Sequence, residues 1–597
     1  MSGSGSGRTD RLAILLIGIS SAVLAVWVVA AVLMSNHGFD LTDEGYYVLS
    51  YRWWHSTPRA VSGVQYIYGP LFQLFGYDVR ALRIIRLVSI VGTHAVFAWA
   101  FITWLRTTEQ GASLSRAWCW AWGIAIVASG GISYGRLPLS PGYNDLSLLA
   151  SLLLVAAVLR MLVGVRRREA LPVGPALALP PLVVVLLLSK WAAGIVVLGF
   201  VALLAAGALR AAGPRWSLTG RSRFLVAAAG SAALSVIGAD VAMGGFASAI
   251  PPMLRVNRLV AARTNSPTQL LAMYASTGLE LLLLVVLLGC APALLLGAAW
   301  RLSRLGARRA ARLAALWAPA SIVLVAVLYL PGDGLRADVA RYMSCLLCLA
   351  LLIVAIAAYE LRRHRLLHAV PGDGFVVLLL VGLPLVQALG TGNPVFALAI
   401  DAYAAWTAVF VLLATRIGDL LPRLVVHLSI LSGVVVAGLT SGWGLVERPY
   451  RTEPLGSATT LVGGRGPLAR LLVSPTEAGR LVAVRRALAG IATAGRPMMA
   501  FDELPGLIAS LDGRSVGETW YSATDRTRSV ANITDACAHG NPWGSRQPII
   551  FYNRRPAADE LTALRTCRID LSHDYHPVPV GGFEPALTIY IPDPRQP

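Results

Sequence analysis

Three carboxylates lie within five residues in the stretch Asp40-Leu41-Thr42-Asp43-Glu44, directly after the first long apolar segment of the chain. Only 14% of the 597 residues are charged, so acidic side chains beside an apolar run are unusual here. Because charge beside hydrocarbon is costly, ionisable residues at such a position are candidates for function. A carboxylate held there can act as a general base, taking a proton from a reacting group.

Long apolar segments must position these carboxylates. Hydrophobic residues make up 56% of the chain, and the mean hydropathy is +0.64. A membrane-spanning helix needs roughly 20 apolar residues, and many such runs occur. The sequence predicts a polytopic α-helical membrane protein with thirteen spans, near residues 12–34, 87–105, 118–134, 146–164, 172–189, 191–209, 224–243, 270–299, 314–330, 342–359, 374–390, 400–415 and 424–443.

The net charge of +20 fits a membrane location. Basic residues crowd cytoplasmic loops and contact anionic lipid headgroups, so membrane lipids are expected partners. No basic, aromatic-interleaved soluble module is present, so no nucleic-acid partner is expected. Arg-rich loops alternate with the others along the chain. The positive-inside rule makes them cytoplasmic, together with the N-terminus, and predicts a multi-pass protein of the plasma membrane.

The region after the last span differs in composition. Its polarity predicts two domains, a transmembrane domain at 1–443 and an exported α/β domain at 444–597. Strands are predicted at 547–552 and 587–591, and a helix at 557–566. Cys537 and Cys567 could form a disulfide if this region is exported.

Several further residues on the predicted outer face are candidates for a ligand site. Arg80, Arg83 and Arg86 are spaced by three, which places them on roughly one helix face. Tyr46 and Asp145 are candidates for substrate binding. Lys190, the only lysine, lies between two apolar runs at a predicted outward turn. It could reach the interface as a snorkelling side chain or bind a phosphate.

A second sizeable outward loop is predicted at 244–268, where Pro251, Pro252 and Pro267 are expected to break helices. Guanidinium groups suit anionic ligands, although headgroup contacts explain such residues equally well. Arginine candidates for a phosphate, with the first two preferred, are Arg255, Arg258, Arg263, Arg336 and Arg341.

An Asp-Glu pair in the first outward loop, followed by an arginine-rich entry into the second span, resembles the GT-C glycosyltransferases. The nearest members in layout are the protein O-mannosyltransferases and the bacterial lipid A aminoarabinose transferases. The latter also have thirteen spans followed by an exported domain. The resemblance covers the topology of the whole chain. At residue level it is limited to Asp43-Glu44, the segment 80–86 and the outward loop at 136–145.

The resemblance implies an inverting transfer of a sugar from a polyprenyl-phosphate donor to a cell-envelope acceptor, which could be a glycan, a lipid or a protein. By motif position, Asp43 would be the general base, and Glu44 would orient it or bind the acceptor. Asp145 matches a second acidic position, and Lys190 with Arg255 or Arg258 would stabilise the leaving phosphate. No organic cofactor is implied. Some relatives use a divalent metal, and metal dependence stays open.

Two other functions remain as alternatives. A transporter or flippase of lipid-linked sugars should show matching halves with Gly- or Pro-broken helices, and no clear halves occur. A polymer ligase of the O-antigen type relies on outward Arg and His rather than an Asp after the first span. The sugar is not identified, since mannose, arabinose and glucose donors all fit.

Overall fold

The protein is described from a computed structural model, in which most of the chain forms helices. The residues described are 6–56, 60–211, 218–261, 266–329, 373–390, 393, 395–416, 420–447, 449–522, 525–538, 543 and 546–593.

In the described residues before 447, helices are joined by short turns and loops. The α-helices are α1 Ser6–Leu33, α2 Asp43–Arg52, α3 Gln65–Leu74, α4 Val79–Leu105, α5 Arg116–Ser129, α6 Gly131–Arg136, α7 Tyr143–Arg167, α8 Val173–Ala211, α9 Leu218–Ala242, α10 Phe246–Ala261, α11 Pro267–Arg304, α12 Arg308–Tyr329, α13 Asp373–Gln387, α14 Val395–Ala399, α15 Tyr403–Arg416 and α16 Leu420–Val446. Short 3-10 turns lie at Met34–Asn36 and Ile400–Ala402.

Long apolar helices make this a membrane protein, because a helix satisfies its own backbone hydrogen bonds in lipid. Helices lie at every predicted span within the described residues, and the span predicted at 342–359 lies outside them. Six segments of the described chain are both long and apolar enough to cross a membrane: Arg11–Asn36, Val79–Leu105, Tyr143–Arg167, Val173–Ala211, Gly220–Ala242 and Arg423–Val446.

Helix α8 reverses direction at Lys190, which has non-helical angles of φ −144° and ψ 79°. A Cβ atom on Gly194 would lie 2.8 Å from the carbonyl oxygen of Leu186. Eight residues of straight helix would separate these positions by roughly 12 Å. The two halves of α8 therefore fold back on each other, and the predicted turn at Lys190 is confirmed.

One sequence prediction about the loops is wrong. Helix α10 continues through Pro251 and Pro252 instead of breaking there. Pro251 is the sixth residue of this helix, so the two prolines remove two intrahelical hydrogen bonds without ending it. Pro267 is the first residue of α11.

The arginine segment 80–86 belongs to the helix of the second span, which begins at Val79. The Asp78 carboxylate accepts a hydrogen bond from the Arg80 backbone N–H at 2.9 Å and caps this helix.

The C-terminal part combines a mixed sheet with helices. Its elements are β1 Thr460–Leu461, β2 Leu472–Val473, α17 Pro475–Ala487, β3 Pro497–Ala500, α18 Pro505–Ser510, β4 Arg514–Ser515, α19 Arg526–Ala538, β5 Ile549–Tyr552, α20 Ala558–Thr566, β6 Tyr575–Val580 and β7 Leu587–Pro592, with a 3-10 turn at Leu455–Ser457. The main sheet has the order β4-β3-β5-β7-β6. Strands β4, β3 and β5 run parallel, and β7 is antiparallel to both β5 and β6. The two predicted strands and the predicted helix are confirmed.

A disulfide joins Cys537 at the end of α19 to Cys567 just after α20, with the two Cα atoms 5.4 Å apart. The pairing left open by the sequence is therefore present. It ties α19 to the helix beside it.

The first loop and the C-terminal part share one hydrophobic core. Tyr51 and Phe72 from the loop pack in the same cluster as Leu507 and Ile589. At the centre of this contact, a Cβ on Gly45 of α2 would lie 2.4 Å from the backbone nitrogen of Gly506 in α18. Only two glycines allow the backbones to approach so closely. The division at residue 443 stays a prediction, but the two parts share this core.

Candidate active site

A cavity of about 490 Å³ lies where the membrane helices meet the C-terminal part. It brings together three residues singled out in the sequence, Asp43, Tyr46 and Lys190. The other side chains and backbone that line it are Tyr47, Val61, Ser62, Tyr143, Ser189, Trp191, Ala192, Ala193, Asn257, Gly390, Asn393, Glu503, Glu518, Trp520, Ser522, Asp525 and Arg528.

Asp43 is the first residue of α2 and lies at the edge of the cavity. Its Oδ2 accepts a hydrogen bond from the Tyr450 hydroxyl and lies 3.4 Å from Nη1 of Arg451. Both contacts fall on one carboxylate oxygen. Among the described residues, no hydrogen bond or ion pair involves Oδ1, so this oxygen can still accept a hydrogen bond from a ligand.

Tyr450 stays a hydrogen-bond donor to Asp43. Burial raises the pKa of the Tyr450 hydroxyl, and the negative charge of Asp43 raises it further. Arg451 has φ +50°, a left-handed conformation that is uncommon for a residue with a side chain. The chain therefore holds a cation beside Asp43 in a strained backbone, a feature often found at functional sites.

Glu44 is buried and does not line the cavity, so the sequence interpretation of a substrate-facing role finds no geometric support. Arg83 donates from Nε to Oε1 and from Nη2 to Oε2, both at 2.9 Å. Ser140 adds hydrogen bonds from its N–H and hydroxyl to Oε1, at 2.9 and 2.6 Å. Arg83 also donates to the carbonyls of His37 and Gly38. Glu44 thus fastens the first loop to α4.

Asp40 supports the start of α2. Its carboxylate accepts hydrogen bonds from the backbone N–H groups of Thr42 at 2.9 Å and Glu44 at 3.1 Å. Burial raises the pKa of Asp40 to about 7, although the hydrogen bonds from Thr42 oppose the rise. The carboxyl that shapes the loop before Asp43 therefore titrates near neutral pH.

Lys190 reaches the cavity from the turn of α8 and is 8% exposed. Its Nζ lies 5.6 Å from the centre of the Tyr143 ring, a distance typical of a cation–π contact. Tyr143 in turn meets Tyr47 edge to face, with ring centres 6.1 Å apart. The rings of Tyr143 and Tyr47 therefore hold the ammonium group beside the cavity, so that it does not extend to the membrane surface.

Tyr46 connects α2 to the C-terminal part. Its ring meets Trp520 edge to face, with centres 6.2 Å apart. Burial raises the pKa of the Tyr46 hydroxyl, and the nearby charge of Glu518 raises it further. Tyr46 therefore remains protonated and can donate a hydrogen bond into the cavity.

Asp145 lies away from the cavity, in a buried pair with Arg86. Arg86 Nε donates to its Oδ1 at 2.8 Å, and the Gly142 N–H donates to Oδ2 at 2.9 Å. Arg86 also donates to the carbonyls of Ser133 and Tyr134. Arg83 and Arg86 thus share a helix face as predicted, and they hold Glu44 and Asp145 in place. Arg80 is exposed.

Arg255 and Arg258, the preferred arginines of the loop predicted at 244–268, also lie outside the cavity. Arg255 Nε is 3.3 Å from Oδ1 of Asp535, so it joins α10 to α19. Arg258 is exposed. The neighbouring Asn257 lines the cavity instead, and its Nδ2 donates to the Val61 carbonyl at 2.9 Å. Arg263, Arg336 and Arg341 lie outside the described residues.

Sequence reasoning missed the side chains that the C-terminal part supplies. Glu503 follows β3, and Glu518 with Trp520 follows β4. The carboxyl ends of parallel strands lie at one edge of a sheet, where ligands commonly bind. Strand β4 is only two residues long, so its sequence gives no strand signal that would have pointed to these residues.

Within the described residues, no three His, Cys, Asp or Glu side chains are grouped so that they could hold a metal ion. The cavity does carry charge of both signs. Its carboxylates are Asp43, Glu503, Glu518 and Asp525, and its cations are Lys190 and Arg528.

No protein-family model and no curated protein matches this chain. Two solved structures are similar to it along nearly the whole length. One is ArnT from Cupriavidus metallidurans bound to undecaprenyl phosphate, which is 14% identical with a TM-score of 0.35 and covers 98% of each chain. The other is the same protein in the apo state, at 14% identity and a TM-score of 0.36, covering 97% of each chain. ArnT is the lipid A aminoarabinose transferase.

Proposed function

We propose that the protein is a membrane glycosyltransferase that moves a sugar from a polyprenyl-phosphate donor to a cell-envelope acceptor at the outer face of the membrane. One observation carries the proposal: Asp43 and Lys190, a base and a cation that are far apart in sequence, line the same cavity. Transfer of a sugar away from a phosphate needs both, a base for the incoming hydroxyl and a positive charge for the leaving group.

In this reaction, Oδ1 of Asp43 takes the proton of the acceptor hydroxyl. The hydroxyl oxygen attacks the anomeric carbon, the bond from that carbon to the phosphate oxygen breaks, and the phosphate leaves with the electron pair. The configuration at the carbon inverts. Tyr450 and Arg451 keep Asp43 oriented through Oδ2, and Lys190 faces the developing charge on the phosphate.

The orientation of the cavity supports this assignment. Lys190 lies on α8, whereas Glu503, Glu518 and Asp525 lie on the C-terminal part. An anionic phosphate is attracted to the first side and repelled by the second. The lipid would then lie along the membrane helices, with the sugar facing the carboxylates.

The test uses the full chain in nanodiscs with polyprenyl phosphate that carries mannose, arabinose or glucose, together with a cell-envelope extract. We expect mass spectrometry to show one donor converted to free polyprenyl phosphate while the extract gains the sugar. In a parallel experiment with the chain in sealed liposomes, movement of an intact donor between leaflets without cleavage would instead identify a flippase.

A further inference from the structure

The turn after β4 forms part of the cavity surface, and hydrogen bonds hold its backbone. Gly517 has φ +72°, and Asn532 of α19 accepts a hydrogen bond from the Glu518 backbone N–H at 2.9 Å. The Tyr521 hydroxyl donates to the Val516 carbonyl at 2.7 Å and closes the same turn. The backbone that carries Glu518 and Trp520 is therefore fixed from both sides before any ligand arrives.

Glu518 and Arg528 form an ion pair in the cavity wall. Arg528 Nη2 pairs with Oε1 of Glu518, and Glu518 is fully buried. Among the described residues, Oε2 of Glu518 and Nε of Arg528 have no hydrogen-bond partner. Leaving a buried polar atom without a partner is costly, and such atoms in a cavity wall point to a ligand that supplies the missing bonds.

The chemistry of these two atoms limits the ligand. Oε2 of an ionised Glu518 only accepts, and Nε of Arg528 only donates. Neighbouring hydroxyl groups satisfy both, because each can donate and accept. The phosphodiester of a lipid-linked sugar has no proton to donate to Oε2 at neutral pH, and the nearby carboxylates Glu503 and Asp525 repel it. The surface is therefore suited to an uncharged polyhydroxylated ligand.

Trp520 adds the apolar side of the surface. It is partly exposed and lines the cavity, with Tyr46 against its edge. A flat aromatic ring beside a few fixed polar groups is a common composition of small-ligand sites. The face of a sugar ring that carries C–H groups can lie on the indole while its hydroxyls reach the charged pair.

We propose that Glu518, Trp520 and Arg528 form a carbohydrate-binding wall that holds one sugar ring in the cavity. This inference deepens the proposed function and rests on it for the role of the ring, which comes either from the lipid-linked donor or from the acceptor glycan. Both sources present the same hydroxyl chemistry to the wall. The C-terminal part would thereby set which sugar the protein accepts.

Saturation-transfer difference NMR tests the wall with the full chain in nanodiscs. The probes are methyl α-D-mannopyranoside, methyl α-D-glucopyranoside and methyl α-D-arabinofuranoside. We expect at least one to bind, and Glu518→Gln to weaken its binding by about tenfold or more, since a hydrogen bond to a charged group is lost. Trp520→Leu breaks no ion pair and should also weaken binding of the probe. It replaces Glu518→Gln as the test if that variant does not fold.

Glu560→Gln is the matched control. Glu560 is equally buried and pairs with Arg554 at 2.7 and 2.9 Å, but it does not line the cavity. It should lose stability while binding the probe like the wild type. Binding of no probe to the wild type would overturn the proposal, as would unchanged binding in both Glu518→Gln and Trp520→Leu.

Farnesyl phosphate carrying the same sugar as the bound probe distinguishes the two sources. Loss of the probe signal when this donor is added assigns the wall to the donor sugar, and a persisting signal assigns it to the acceptor. Asp43→Asn separates this proposal from the transferase proposal, because it should still bind the probe. A protein that binds the probe but transfers no sugar would contradict only the proposed function.

Discussion

Asp43 and Glu44 are adjacent in the chain, yet their carboxylates lie in different surroundings. Asp43 lines the cavity, and no hydrogen bond or ion pair involves its Oδ1 among the described residues. Glu44 is buried and accepts two hydrogen bonds from Arg83. Successive residues of a helix point about 100° apart, so the first turn of α2 can send one side chain to the ligand and the next into the core. The two residues should respond differently to the same substitution.

Asp43→Asn should abolish sugar transfer without loss of fold. The amide cannot take a proton from the acceptor, and loss of a general base typically slows a reaction by about 10²–10⁴-fold. Transfer by the purified variant, measured beside its unfolding temperature, checks this. Asp512→Asn, in the ion pair with Arg52, is the control away from the cavity. A transfer rate near that of the wild type would remove Asp43 as the base.

Glu44→Gln should destabilise the protein. Removing one charge from a buried pair leaves Arg83 without its counter-charge, at a cost of about 3–5 kcal/mol. The apparent unfolding temperature in detergent should fall clearly, while Asp43→Asn should leave it nearly unchanged. Equal unfolding temperatures for the two variants would contradict the structural role assigned to Glu44.

Lys190→Ala should weaken use of the donor without changing acceptor preference. One contact to a developing negative charge is worth about 10²-fold in rate. Donor and acceptor concentration series would separate the two effects. Arg258→Ala is a useful comparison, because this exposed cation on α10 lies outside the cavity and should change donor use far less. An unaltered donor dependence in Lys190→Ala would exclude Lys190 from the phosphate site.

Asp40 should make stability depend on pH. Its pKa is about 7 in the folded protein and about 3.9 when unfolded, so between these values the folded state binds more protons. Stability from this group is therefore greatest below pH 4 and declines as pH rises towards 7. The difference in unfolding temperature between wild type and Asp40→Asn should change across this range. Parallel curves for the two proteins would refute the prediction.

The membrane helices are predictable because each apolar run, as a helix, satisfies its own backbone hydrogen bonds in lipid. The run by itself therefore indicates the span. Asp43 and Lys190 are predictable for a related reason, since charge beside apolar sequence is visible without a fold. The sequence predicts ligand contacts for Glu44 and Asp145 because it does not show which cation a carboxylate meets. Their partners Arg83 and Arg86 are visible in the sequence, but the pairing depends on tertiary contacts.

The positions of Glu518 and Trp520 in the cavity could not be predicted from the sequence. Glu518 and Trp520 lie more than 470 residues from Asp43, and they follow a strand too short to give a periodic pattern. Their position depends on the sheet, and the sheet is placed by its shared core with the first loop.

The contact between Gly45 and Gly506 also has a consequence for the time at which activity arises. Gly506 is synthesised 461 residues after Gly45, a delay of roughly 20–90 s at typical rates of translation. During that interval the helix that carries Asp43 has been made, but the surface on which it packs does not yet exist. The nascent chain can therefore enter the membrane early and still have no complete site until its last quarter is made.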